Sequence, residues 1–309
     1  MTIKIITHKT AKILRQTFDE FVEDNAIKLS ASLSYYTIFA LPPLLIIILF
    51  ICGIFFGRDA VTGRFFGQIN AFVGNDAAIQ IQEMIKNIEL ADSSMFAAVF
   101  GSIMLLIGAS GVFAEIQSSI NFIWGLKAKP NKGIIKFVMN RVMSVSMIGA
   151  VGFLLLVALF INTLLDLLNE RLILYIPEAT VYLFYFLNTL VLYLITTILF
   201  AIIFKTLPDG EIGWNDTLTG SAFTAFFFML GKFAIGYYLS TSTIATVYGA
   251  AGSIIIILIW VYYSAIILYF GAEFTKVYSK AYGKKIIPNA YAVEIQKEIF
   301  EIDSPDNES

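Results

Sequence analysis

Seven polar side chains lie within or at the ends of stretches that are otherwise apolar: Glu115, Asn121, Tyr185, Thr189, Lys232, Tyr263 and Glu273. Their chemistry is that of binding. Two carboxylates and one ammonium can hold ionic groups of opposite sign, and an amide, two phenols and a hydroxyl can hydrogen-bond a polar headgroup. The partners that catalysis asks for are missing from the sequence. His8 is the single histidine and Cys52 the single cysteine, so the chain cannot assemble a His/Cys zinc cluster or an internal disulfide. No G-x-x-x-x-G-K-[ST] loop for nucleotide phosphates and no HxHxDH or DxD cluster for metal ions occurs. The expectation is a chain with no catalytic residue, no cofactor and no metal, in which the seven residues line a cavity or pathway.

The elements that must position these residues are membrane spans. Residues 248–274, YGAAGSIIIILIWVYYSAIILYFGAEF, carry Tyr263 and Glu273, and from Gly249 to Gly271 no side chain has a formal charge. At 1.5 Å per residue such a run crosses a hydrocarbon core of ~30 Å. Similar stretches occur at about 38–57, 95–113, 143–165, 181–204 and 217–239. The chain is 58% hydrophobic and 14% charged, whereas soluble domains average about 45–50% and about 25%. The predicted fold is all-α: a bundle of six transmembrane helices over residues 1–285, followed by a polar tail, 286–309, expected to be disordered.

Around the spans, residues 9–36 place Leu14, Phe18, Phe21, Leu29, Leu33 and Tyr36 at helical spacing, which predicts an amphipathic helix lying along the membrane surface or capping the bundle. Pro42 and Pro43 open the first span. In the 58–94 connection, Ala78, Ile81, Ile85 and Ile88 predict a short helix capped by Asn75 or Asp76. The second span continues as AEIQSSINFIWG, with Glu115, Ser118 and Ser119 on one face and Gln117, Asn121 and Trp124 on another. Tyr182, Tyr185, Thr189, Tyr193 and Thr196 form a hydroxyl row in the fourth span, suited to bonds between helices or to a solvated path. Lys232 either snorkels to headgroups or faces an internal cavity. Glu115 and Glu273 should share one plane at the inner ends of their spans, with Arg141 or a nearby lysine as counter-charge.

Charge sets the expected orientation. One side of a six-span arrangement receives Lys4, Lys9, Lys12, Arg15 and Lys28, then Lys127 to Arg141, Lys205, and Lys276 to Lys285; the other receives Arg58, Arg64, Lys86 and Arg171. Short connections rich in Lys and Arg stay in the cytoplasm, so both termini are expected there. The N-terminus has no apolar h-region followed by an A-x-A-like site, so no cleaved signal peptide is expected.

The segments NAIKLSASLSYYTIFALPPLL, FAEIQSSINFIWG, LPDGEIGW and YGAAGSIIIILIWVYYSAIILYFGAEF, in this order and spacing, resemble the YihY/BrkB family of bacterial inner-membrane proteins. The most specific pieces are Ser34-Tyr35-Tyr36, Asn121 with Trp124, Tyr248-Gly249, Trp260, Tyr262 and Gly271-Ala272-Glu273. The resemblance implies a six-helix protein of the bacterial cytoplasmic membrane. It implies no settled activity, since members have carried a ribonuclease label and others are described as transporters or virulence-associated envelope proteins. RNA cleavage would need a positioned acid and base or a metal-holding carboxylate cluster, and the basic loops are accounted for by topology. The expected function is that of a transporter or flippase-like protein for an envelope lipid or small amphiphilic solute; the alternative is a non-catalytic scaffold of an envelope assembly. Membrane lipids and envelope proteins are the expected partners, and nucleic acid is not.

Overall fold

Among the described residues, three helices carry the apolar runs that the composition demands. The computed structural model describes residues 2–40, 111–129, 177–241 and 252–295, with single positions between 70 and 82 and between 146 and 164. Most of the first three expected spans, the 58–94 connection with its short helix, the loop at 130–142 and the tail beyond 295 lie outside the described residues.

The chain enters as α1, Thr2–Glu23. It does not continue unbroken to residue 36, as the periodicity suggests. At Asn25 φ is 52°, a left-handed conformation that asparagine tolerates and that ends helices. Asn25 N–H donates to the Val22 carbonyl at 3.1 Å, and its own carbonyl accepts from Lys28 N–H at 2.9 Å, starting the next helix. Residues 26–40 form this helix, α2. The apolar face of α1 is also rotated from the expected stripe: Ile13, Thr17, Phe21 and Asp24 are buried, while Leu14 and Phe18 are 38% and 60% exposed. The sequence carries two apolar faces here, and the bundle uses only one of them.

Residues 111–123 form α3. It ends at Gly125, whose φ of 69° leads into β1, Leu126–Ala128. Then come α4, Pro177–Thr206, β2, Gly210–Glu211, α5, Trp214–Thr241, and α6, Gly252–Tyr282. Within them Tyr182–Thr206, Trp214–Tyr238 and Ile254–Tyr282 are long and apolar enough to cross a membrane; the shortest, at 25 residues, reaches about 38 Å. α4 and α5 contain the expected fourth and fifth spans and overrun them at both ends; α6 covers the expected sixth span from Gly252 onward and runs past its end, and residues 249–251 lie outside the described residues.

α5 packs between α4 and α6, and α1 packs on α6. The α5–α6 contact is close because glycine faces threonine in both directions. A Cβ at Gly220 would strike Thr275, and one at Gly271 would strike Thr224. The hydroxyls are satisfied within their own helices: Thr224 Oγ1 donates to the Gly220 carbonyl at 2.7 Å and Thr275 Oγ1 to the Gly271 carbonyl at 2.6 Å. In both cases the threonine Oγ1 is the atom nearest the opposite glycine, and because its hydrogen is already engaged the close approach asks no acceptor of the partner helix, as in small-residue packing between membrane helices. At the Lys276 end of α6, Phe223 stacks on Phe274 with ring centroids 3.7 Å apart.

The polar end of the bundle is not purely helical. β3, Ile287–Pro288, pairs antiparallel with β2, and β4, Ala292–Glu294, pairs antiparallel with β1 in the register Leu126↔Glu294 and Ala128↔Ala292. The expected disordered tail thus does not begin at 286. Ile286 and Ala292 are buried, Asn289 N–H donates to the Asp209 carbonyl at 2.9 Å, and Lys285 pairs with Glu294 at 2.8 Å. Composition alone hides this because each ribbon is only two or three residues long and draws its partners from loops far away in sequence.

Candidate functional site

Lys276 lies one turn beyond the apolar run of α6, and its side chain is 8% exposed. Burying an ammonium is costly unless acceptors surround it. Its Nζ lies 2.7 Å from Glu20 Oε2, 2.8 Å from Glu273 Oε2 and 3.5 Å from Asp24 Oδ2, and it donates to the Ile123 carbonyl at 2.8 Å. One cation therefore joins α1, the turn after it, the end of α3 and α6. Glu20 also accepts from Gln16 Nε2 at 2.8 Å. Partial burial pushes its carboxyl up, but the Lys276 and Gln16 hydrogen bonds outweigh this and hold it below its ordinary value.

A second polar knot sits on the adjacent face of α3. Gln117 Nε2 donates to Asp209 Oδ1 at 2.8 Å, Asn121 Nδ2 donates to Asp209 Oδ2 at 2.9 Å, and Asp209 N–H donates back to Asn121 Oδ1 at 2.8 Å. Three residues on, Trp124 Nε1 donates to the Ala272 carbonyl at 3.1 Å. The face that groups Gln117, Asn121 and Trp124 thus docks α3 onto the turn after α4 and onto α6. A third knot closes the start of α5: Asp216 Oδ2 accepts from Ser279 Oγ at 3.2 Å and Lys284 N–H at 3.3 Å, with its charge at the helix N-terminus. Gly283 leaves the room, since a Cβ there would strike Asp216. Lys205 donates to the Ile212 carbonyl and lies 5.4 Å from the Trp214 ring centroid.

Farther into the bundle the polar groups are less well satisfied. Tyr269 and Ser119, 0% and 1% exposed, face one another without hydrogen-bond geometry on either hydroxyl. Glu115, one turn before Ser119, acts on the same phenol. Ser221 is also buried, with no hydrogen-bond partner among the described residues.

The seven residues singled out from sequence fall into three places. Glu115, Asn121 and Glu273 belong to the α3–α6 contact: Glu273, fully buried, sits one turn from Tyr269, whose phenol feels Glu115. The counter-charge of Glu273 is Lys276, three residues along the same helix; Arg141 lies outside the described residues. Lys232 and Tyr263 form a second place on α5 and α6. The Tyr263 phenol lies where a Cβ on Gly231 would be, and Lys232 Nζ lies 5.9 Å from the Phe233 ring centroid. Ten residues separate Tyr263 from Glu273, about 15 Å along a helix. Tyr185, 69% exposed, and Thr189, whose hydroxyl donates to the Tyr185 carbonyl at 2.9 Å, occupy the outward side of α4. The hydroxyl row there is divided: Thr196 is buried, and Tyr193 donates across to the Ala222 carbonyl of α5 at 3.0 Å.

Sequence reasoning missed Lys276, Glu20, Asp24 and Asp209 as members of buried clusters. Lys276 reads as one more basic residue after a span, and Glu20 and Asp24 as the wet side of an amphipathic helix. A signal was present at Asp24-Asn25, a pair that favours helix ends. Among the described residues no group of three or more His, Cys, Asp or Glu side chains is gathered to hold a metal ion.

The sequence profile of the family described as Virulence factor BrkB matches residues 17–293. A protein of Saccharophagus degradans named UPF0761 membrane protein is 26% identical over 277 residues, covering 89% of this chain and 61% of its own length. Its counterpart in Teredinibacter turnerae is 23% identical over 276 residues, 88% of this chain and 61% of its own. The UPF0761 membrane protein MS0032 of Mannheimia succiniciproducens is 25% identical over 264 residues, 83% of this chain and 86% of its own. The matched region thus spans about three fifths of the length of the first two relatives. No solved structure matches. With membrane-capable helices, a match that takes in all three polar knots and relatives named as membrane proteins, the chain belongs to the BrkB family of membrane proteins.

Proposed function

We propose that this protein is a transporter or flippase-like protein of the bacterial cytoplasmic membrane, with both termini cytoplasmic, acting on an envelope lipid or a small amphiphilic solute. The observation that carries this reading is the line of polar groups along α3 and α6, from the buried Lys276 and Glu273 through the buried Tyr269 and Ser119 to the partly buried Glu115. Polar groups on membrane helices are costly and are kept where a pathway or a structural bond needs them. Here Tyr269 and Ser119 lack, among the described residues, the bonds that a purely structural role would supply. Lys232 on α5 and Tyr263 farther along α6 provide a second station with a positive charge for an anionic headgroup. No catalytic step and no nucleotide are part of the proposal; movement is passive or driven by an ion gradient.

The Asp209 knot and the glycine–threonine packing of α5 on α6 favour a second reading, a rigid scaffold for an envelope assembly. Purified protein in liposomes separates the two. Transport predicts lipid scrambling above that of protein-free liposomes, reduced in Lys232→Ala and Glu115→Gln. Absence of scrambling, with an envelope protein co-purifying stoichiometrically, would leave the scaffold.

A further inference from the structure

The surroundings of Lys276 contain more negative charge than the cation can balance. Glu20, Asp24 and Glu273 supply three carboxylates within 3.5 Å of one ammonium. Lysine has three donors, and Glu20, Glu273 and the Ile123 carbonyl take them at 2.7 to 2.8 Å. Asp24 stands farther off and turns to Glu273. Two carboxyl groups in contact, one 0% and the other 7% exposed, cannot both stay ionised at low cost. A metal ion does not fit between them, because the ammonium already occupies the centre.

We propose that the Asp24–Glu273 pair is a proton-binding site, and that Tyr269 and Ser119 lead its exchangeable proton toward Glu115. The inference rests on the transport reading only for its use, as a coupling site for an ion gradient; the site itself stands on geometry. A proton arriving from water on the α1 side converts the pair from two carboxylates to one carboxylate and one carboxylic acid. Passage inward moves that proton to the Tyr269 oxygen while the phenolic proton passes to Ser119 Oγ, and the Ser119 proton passes to Glu115. One proton leaves the pair, one reaches Glu115, and both hydroxyls then rotate back. The independent sign of a path is that, among the described residues, Tyr269 OH and Ser119 Oγ are buried without a formed hydrogen bond, the freedom such rotation needs.

Among the described residues, the other charged groups are accounted for. Glu20 and Asp24 face the site from α1 and its turn, Lys276 from α6, and Lys280 acts on Glu20. From α3 come Ser119 and Glu115. α5 buries Thr217, Ser221 and Thr224, and its acid Asp216 is bound to Ser279 and Lys284 N–H. Asp209 is held by Gln117 and Asn121.

Infrared difference spectroscopy of the full chain in nanodiscs, scanned in pH, tests the site. The wild type should show a protonated-carboxyl C=O band near neutral pH that disappears on raising the pH. The band should be lost in Glu273→Gln and lost or shifted in Asp24→Asn. A wild type without it overturns the site whatever the variants do, and so does a band unchanged in both variants. Proton uptake into liposomes loaded with a pH-sensitive dye tests the path: Tyr269→Phe should slow it at least tenfold with the band retained, and unchanged uptake overturns the path. A protein that shows the band but scrambles no lipid would sink the transport reading and leave the proton site standing.

Discussion

Asn121 grips Asp209 from both sides, its amide nitrogen donating to the carboxylate at 2.9 Å and its amide oxygen accepting from the Asp209 N–H at 2.8 Å. No other neutral side chain of this length supplies donor and acceptor together. Asn121→Ala leaves a buried N–H and a buried carboxylate oxygen each short of this partner. The expected loss is about 2–4 kcal/mol, read as a lower thermal midpoint in detergent or nanodiscs. Asn121→Asp should be worse at neutral pH, since it sets two carboxylates against each other. A midpoint unchanged in both would mean that Asp209 is not held in this way.

The α5–α6 contact makes a packing prediction. Gly220→Ala places a methyl group against Thr275 Oγ1 and Cβ, and overpacking of this kind costs about 1–3 kcal/mol. Adding Thr275→Ala should recover part of that loss, because it removes the colliding atoms. Thermal unfolding of the two single variants and the double variant measures the coupling, and strict additivity would contradict the contact.

Glu20 makes the α1 contact sensitive to acid. Against partial burial, which pushes it up, its carboxyl is held below its ordinary value by the Lys276 and Gln16 hydrogen bonds, so its contribution is fully present above the ordinary carboxylate range and is lost as pH falls through the lower folded value. The thermal midpoint of Glu20→Gln should lie below that of the wild type at about pH 6, and the two should converge as the pH falls below the ordinary carboxylate range. A constant difference across that range would show that Lys276 does not hold Glu20 in its charged form.

Topology can be checked with an impermeant thiol reagent on intact cells, after replacing Cys52. Lys132→Cys and Ser304→Cys should be shielded, and Gln80→Cys should label. The reverse pattern would invert the orientation proposed from the Lys and Arg distribution.

The sequence by itself determined the membrane class, the places of the last three membrane helices and the family, because each rests on summed or periodic properties. Long uncharged runs such as 254–270 have no other low-cost environment, and the alternation of basic loops is local. The grouping of Gln117, Asn121 and Trp124 on one face was likewise legible, since helical spacing alone places them together. Tertiary structure decided which polar groups meet. Lys276 reaches Glu20 and Asp24 across some 250 residues, and Asp209 reaches Asn121 across 88, so no window of sequence contains either pair. It also decided that α1 stops at Asn25 and buries Ile13, Thr17 and Phe21 instead of Leu14 and Phe18. Two apolar faces of similar strength compete there, and only docking onto α6, where Lys276 fixes the rotation through Glu20, selects between them.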